Sequence, residues 1–256
     1  MPLITETHTN RPVWFDLSTT DIEAAKDFYA ALFDWKYLDS GAEMGHYTMA
    51  FVDGEPAAAV APKQPGYENT PVCWTIYFGT DNATDAAQRI KDAGGSMMFE
   101  PMPVPDVGTM AIAMDPDGAA FGIWQAGTFP GARIEGEHGA MAWCEVNSKH
   151  AAQNAAFYAR VFDLTSKRMD GSPTEYYTMD SATAGPVAGA LQMDADWGEI
   201  PPHWMPYFAV AKLADADAVV KAHGGKLLHG PIPSPYGNIM VAQDPQGAVF
   251  SYISEH

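Results

Sequence analysis

Two periods of hydrophobicity alternate along this chain. In VWFDL, residues 13–17, apolar and polar side chains exchange faces at every step, which predicts a strand. In the following TTDIEAAKDFYAALFDW, residues Ala25, Phe28, Tyr29, Leu32 and Phe33 recur at helical spacing and predict a helix with one buried stripe. Thr20 and Glu23 read as the capping box that starts it. If Phe15 and Leu17 pack on that helix, Trp14 and Asp16 point to the opposite face. Further on come short runs of Met, Val, Tyr and Ala broken by Gly and Pro, such as GTMAIAMDPDGAAFGIW, which read as hairpin strands about a DPDG turn. Helices expected at roughly 82–93 and 214–223 both stop at Gly-Gly, as a left-handed cap requires.

The pattern occurs twice. PVWFDL aligns with AMAWCEV at Trp14 and Trp143, FYAALFDW with FYARVFDL at Phe28 and Phe157, and DPDGAAFGI with DPQGAVFSY at Asp115 and Asp244. Each pair stands 129 residues apart (143 less 14, 157 less 28, 244 less 115). YTM at Tyr47 and Tyr177 aligns after a slip of one residue. A fainter repeat inside each half, Trp14 to Asp21 and Trp74 to Asp81, gives four strand–helix–strand units at about 12–62, 71–126, 139–195 and 202–256. The expected domains are 8–126 and 139–256, joined by a linker at 127–138 where Gly, Pro and charge replace periodic apolar residues.

Composition narrows the function. The chain has 256 residues, 47% of them apolar, enough to fill the cores of two ordinary domains. A formal net charge of −18 repels phosphate backbones and anionic membrane surfaces, so nucleic acid and membrane are not expected partners. The opening MPLITETHTNRPVW has neither a basic n-region nor an apolar h-region, and the chain reads as cytoplasmic, a monomer or homodimer. Cys73 and Cys144 belong to no metal-ligand spacing and read as two small buried hydrophobes.

Four βαβββ units, with FY in the helix and DP-D/Q-GA-x-F opening the last strand, resemble the vicinal oxygen chelate superfamily, that of glyoxalase I, bleomycin-resistance proteins and extradiol dioxygenases. The resemblance runs from about Pro12 to about Ile253 and is nearest to two-domain bacterial glyoxalase-like or hydroxylase-like members. It implies an α+β fold in which tandem glyoxalase-like domains curl mixed sheets into two cups. The cups could form within each half or between the first and fourth units. Relatives that use a metal ligate it from the head of each first strand and from the last strand. Here Trp14, Trp74, Trp143 and Trp204 align with the former and Gly122 and Ser251 with the latter. An indole N–H offers a cation no lone pair, so no metal ligands and no cofactor are expected, unless an unorthodox set such as Asp16 and His46 holds a divalent ion.

Each cup is thus expected to be walled by tryptophan, with Trp124 added in the first, which suits a flat or apolar ligand. Asp16 and Glu145 would be the acid or base, with His46 as a supplement in the first half and Tyr47 and Tyr177 as ligand hydrogen-bonding groups. A small-molecule enzyme, a lyase, isomerase or hydroxylase-like member working through Asp16 or Glu145, is the first reading. The alternative is a non-catalytic binding protein of the bleomycin-resistance type, in which the tryptophans matter and the carboxylates do not.

Overall fold

The computed structural model describes residue 4 and residues 8–254; the rest of the opening segment and the last two residues of the fourth unit lie outside the described residues. The first half contributes β1 (Pro12–Thr19), α1 (Ile22–Phe33), β2 (Lys36–Asp39), β3 (Thr48–Val52), β4 (Glu55–Pro62), β5 (Cys73–Gly79), α2 (Ala83–Asp92), β6 (Ser96–Val104), β7 (Gly108–Met114) and β8 (Ala120–Ala126). Its eight strands form one mixed sheet in the order β2-β3-β4-β1-β5-β8-β7-β6. The second half repeats this with β9 (Met141–Ser148), α3 (Ala151–Phe162), β10 (Thr165–Arg168), β11 (Tyr176–Ser181), β12 (Gly185–Gln192), β13 (His203–Ala209), α4 (Leu213–Ala222), β14 (Lys226–Ser234), β15 (Gly237–Gln243) and β16 (Val249–Ser254). The order is β10-β11-β12-β9-β13-β16-β15-β14, so each sheet is built within one half and not between units one and four. Neither sheet closes into a barrel. Among the described residues no helix is long and apolar enough to cross a membrane.

Helix α1 buries the expected stripe of Ala25, Phe28, Tyr29, Leu32 and Phe33. Its cap differs from the expectation. Asp21, one residue after Thr20, is the N-cap and accepts from the Ala24 amide. Glu23, expected to complete a capping box, instead reaches outward to Lys26 at 2.9 Å. Helices α2 and α4 end where Gly94 and Gly224 take positive φ angles of 96° and 82°.

The helix-bearing faces of the two sheets meet around α1 and α3. Phe33 lies 4.8 Å from Phe208, and Phe78 stacks on Phe162 at 4.4 Å. Two reciprocal hydrogen-bonded chains cross this apolar contact. Trp74 Nε1 donates to the Tyr29 hydroxyl at 3.2 Å, which donates to Asp244 of the other half at 3.1 Å. Likewise Trp204 Nε1 donates to Tyr158 at 2.8 Å, and Tyr158 to Asp115 at 2.9 Å. The second oxygen of each aspartate accepts backbone amides of its own DPDG or DPQG turn. The FY and DP motifs are therefore the two ends of one contact between halves.

Trp74 and Trp204 were expected in the cups and are not there. Trp74 pairs directly with Leu17 and Trp204 with Val146 across antiparallel ladders, and paired residues share a face. Both indoles therefore lie on the helix side. Cys73 also departs from its expectation: it is exposed, whereas Cys144 is buried. The seam at 127–138 is strapped down. Ala132 and Ile134 are buried, and the amides of Ala132 and Arg133 bond the carbonyls of Val13 and Pro56.

Removing either crossing hydroxyl leaves a buried carboxylate short of a donor. Tyr29→Phe and Tyr158→Phe are each expected to lower the unfolding free energy by about 1–3 kcal/mol. Urea titration followed by far-ultraviolet circular dichroism measures this; an unmoved midpoint in both would mean that ring packing alone joins the halves.

Candidate functional site

On the concave, helix-free face of the first sheet, β1 presents Trp14 and Asp16, and β5 places Tyr77 opposite Trp14 and Thr75 opposite Asp16. Trp14 Nε1 donates to the Tyr47 hydroxyl at 2.6 Å, and Tyr47 donates to Asp16 Oδ2 at 3.1 Å. Tyr77 and Thr75 also hydrogen-bond Asp16. The second sheet repeats the chain: Trp143 Nε1 donates to Tyr176 at 2.8 Å, and Tyr176 to Glu145 Oε2 at 2.8 Å. Tyr207 donates to Glu145 Oε1 at 2.6 Å. Each floor thus holds one carboxylate inside a ring of phenols with an indole behind it.

Missing side chains make room for these rings. A Cβ at Gly122 would overlap the Tyr77 ring, and one at Gly189 would overlap the Tyr176 hydroxyl. Gly122, where metal-using relatives carry a ligand, serves here as the bed of a tyrosine.

Burial pushes the Asp16 carboxyl up to about 6, against the opposing pull of hydrogen bonds from Tyr77, Tyr47 and Thr75. Burial also raises Glu145, opposed by Tyr207 and Tyr176. The four phenols lie well above their ordinary range, first because they are buried and then because a carboxylate is near, so they remain donors. The two acids differ in access. Asp16 is partly exposed, whereas Glu145 is 5% exposed with a tyrosine on each oxygen.

Of the residues singled out from the sequence, Trp14, Asp16 and Tyr47 come together in the first floor and Trp143 and Glu145 in the second. Trp124 shares the first floor's face through its register with Met110 and Gly79. Its N–H is spent on the Phe129 carbonyl, and the Phe129 ring stands edge-on to Trp14 at 4.8 Å. His46 is not part of the site. It sits on a left-handed residue of a turn, exposed, with Nδ1 2.9 Å from Asp39, so it joins no ligand set with Asp16. Tyr177 is also outside it, because its hydroxyl bonds Glu175 and its register with Ala190 turns it to the helix side. The counterpart of Tyr47 is Tyr176, at the unbroken offset of 129; the slip falls later, in the β11–β12 hairpin. Sequence reasoning missed Tyr77, Thr75, Tyr207 and Phe129, and the two tyrosines could have been found by counting alternation back along their strands from Asp81 and from Ala211, its equivalent in the second half.

The donor set around Asp16 and Glu145 is carboxylate, phenol and indole N–H, with the His203 imidazole further along the second floor. It suits hydrogen bonding. Among the described residues no three of His, Cys, Asp and Glu converge on one point. Two surface recesses, of about 230 and 300 Å³, lie elsewhere: one between the halves beside Arg11, Phe15 and Trp143, the other against α3 beside Asn154 and Arg160. Neither is lined by Asp16 or Glu145, though Trp143 of the second floor edges the first.

Paired βαβββ units, a helix-free concave face in each half and a polar group at its centre define a tandem member of the glyoxalase-type fold class. The chain belongs to the Glyoxalase/Bleomycin resistance protein/Dioxygenase superfamily, whose model matches residues 11–123 and again 140–252. It is 36% identical over 257 residues to the Mycobacterium tuberculosis (strain CDC 1551 / Oshkosh) protein named "Putative glyoxylase CFP32", covering 99% of this chain and 98% of the relative. It is 34% identical over 263 residues to the anthracycline biosynthesis protein DauV of Streptomyces sp. (strain C5), covering 94% and 92%. Among solved structures it resembles the Mn(II)-bound glyoxalase from Novosphingobium aromaticivorans, with a TM-score of 0.66, 16% identity and coverage of 98% and 83%. It also resembles 2,2',3-trihydroxybiphenyl 1,2-dioxygenase from Sphingomonas wittichii strain RW1, with a TM-score of 0.64, 13% identity and coverage of 97% and 91%. At these identities the solved structures establish the fold.

The raised carboxyl has a consequence for stability. The folded chain holds the Asp16 proton to about pH 6, whereas the ordinary value is 3.8, so between those values the native state binds more protons and stability falls as pH rises. Asp16→Asn removes that loss. Relative to the wild type, its stability should climb by about 2 kcal/mol between pH 4 and pH 8, read by urea titration at each pH; parallel curves would show an ordinary carboxyl.

Proposed function

We propose that this chain takes a small, flat and largely apolar organic molecule onto the concave face of its first sheet and moves a proton through Asp16, without a divalent metal. The observation that carries this reading is a single partly open carboxyl, raised to about 6, set among Trp14, Tyr47 and Tyr77. At neutral pH such a group is mostly ionised yet close enough to the working pH to accept and return a proton. Tyr47, held by Trp14, orients the carboxylate and supplies a neutral donor beside it. Met49 and Met110 lie on the same face by register and extend an adaptable apolar wall. Glu145, closed in by two tyrosines, is the less accessible acid. The anthracycline-biosynthesis name of one relative supports a ring-bearing organic ligand of this kind.

A second reading, binding without turnover, draws support from the same hydrogen bonds: in both halves the carboxylate also serves as an acceptor that holds aromatic walls in place. Screening fused-ring hydroxyketones by tryptophan quenching and by mass spectrometry of products separates the two. The first reading expects turnover that rises with pH through about 6. It also expects Asp16→Asn to lose at least 100-fold in rate while its Kd stays within about threefold, with Glu145→Gln much less affected. Turnover unchanged in Asp16→Asn would remove it, and quenching without any product would favour the second. Elemental analysis of protein purified without chelators is expected to find substoichiometric transition metal; a stoichiometric ion would overturn the metal-free chemistry.

A further inference from the structure

The recess between the halves has apolar walls and one guanidinium. Val13, Phe15, Ile134, Met141 and Val187 line about 230 Å³ of open space. A cavity of about 150 Å³ already takes a benzene molecule, so this one has room for a single ring with a short substituent. Trp143 stands on its wall. The counterpart of that indole, Trp14, is buried, with the Phe129 ring edge-on to it at 4.8 Å. Among the described residues no ring stands against Trp143, which is only half-buried. Its N–H is spent on Tyr176, so what it offers the recess is aromatic surface. A ring is what the first half sets against the same side chain, and rings pair favourably edge-on or offset.

The polar group is Arg11. Of the five N–H groups of its guanidinium, one goes to Glu135 Oε2 at 2.6 Å. The same charge acts on Cys144, where it opposes burial without overcoming it; the thiol stays well above its ordinary range and is a neutral wall. Glu135 and Cys144 both line the recess, so the guanidinium that reaches both belongs to it. Arg11 is also the deeper of the ion pair, its side chain 19% exposed against 42% for Glu135. An entering molecule therefore passes a carboxylate and then meets N–H donors. That order favours a neutral acceptor: an anion is repelled by Glu135, and a ring without an acceptor strips water from the donors and gives nothing back.

We propose that this recess is a ligand site between the halves for a neutral, one-ring aromatic carbonyl compound, with its ring against Trp143 and its carbonyl oxygen accepting from Arg11. Neither Asp16 nor Glu145 lines it, so the site does not depend on whether the first sheet performs chemistry.

NMR titrations of the full chain with acetophenone, ethylbenzene and benzoate test this, since the three share a ring and differ in the group it carries. Acetophenone should bind at least about fivefold more tightly than either of the others. It should also give nuclear Overhauser contacts to the Met141 and Val187 methyl groups. Arg11→Met keeps the apolar stem without the donors, and should bring acetophenone and ethylbenzene to within about twofold of each other. Ala184→Trp, at an exposed position on the rim, should weaken acetophenone at least about tenfold by filling the recess. The proposal is overturned by the absence of a saturable shift with acetophenone, by ethylbenzene or benzoate binding as tightly, by a preference that survives Arg11→Met, by undiminished affinity in Ala184→Trp, or by contacts confined to Trp14 and Trp124. The Overhauser contacts are read on the unmodified chain, so they decide the point even if a variant fails to fold.

Discussion

Two tyrosine hydroxyls, each donated to an aspartate of the opposite half, hold this molecule in its arrangement. Tyr29 on α1 reaches Asp244 and Tyr158 on α3 reaches Asp115, inside an interface otherwise made of stacked and edge-on rings. Apolar contact alone is non-directional and tolerates sliding, whereas a buried hydroxyl and carboxylate must meet or leave a costly unpaired group. Each aspartate also ties its own hairpin turn through backbone amides, so one side chain fixes both a local turn and a long-range contact. With the helix-bearing faces committed to each other, the two carboxylates stand on the opposite, helix-free faces. That is why the candidate chemistry stands on the floors and not in the join.

Duplication then set two copies of one hydrogen-bonded chain, Trp–Tyr–carboxylate, on those floors, and later change made them unequal. Asp16 keeps partial access to solvent. Glu145, longer by one methylene, is gripped by a tyrosine on each oxygen. In the first half Phe129 leans on Trp14 from the seam, while in the second an asparagine and a histidine occupy a place held by Ser18 and Cys73 in the first. The same scaffold therefore carries different groups in its two halves, a partly exposed carboxyl in the first and a buried one beside an amide and an imidazole in the second.

Much of the fold was legible from periodicity and repetition: the helix stripe, the Gly-Gly stops, the DPDG and DPQG hairpins and the doubled plan all follow from local chemistry. The site was legible only where one strand sufficed. Trp14 with Asp16, and Trp143 with Glu145, were placed correctly because alternation within a strand needs no partner. Trp74 and Trp204 were misplaced because their face depends on the ladder between strands, where a shift of one residue exchanges the two sides of a sheet. Tyr176, not Tyr177, answers to Tyr47 for a related reason: the single-residue slip between halves lies in the hairpin after the strand and not before it.

The order of residues by itself determined the elements, their fourfold repetition and the recurrence of tryptophan near the head of each unit's first strand, since each is a property of neighbouring residues. Only the tertiary structure decided which units share a sheet, that the FY and DP motifs answer each other across the halves, and that Tyr77, Tyr207 and His203 join the floors. Those facts rest on strand register and on the meeting of groups more than a hundred residues apart, which short-range periodicity does not encode.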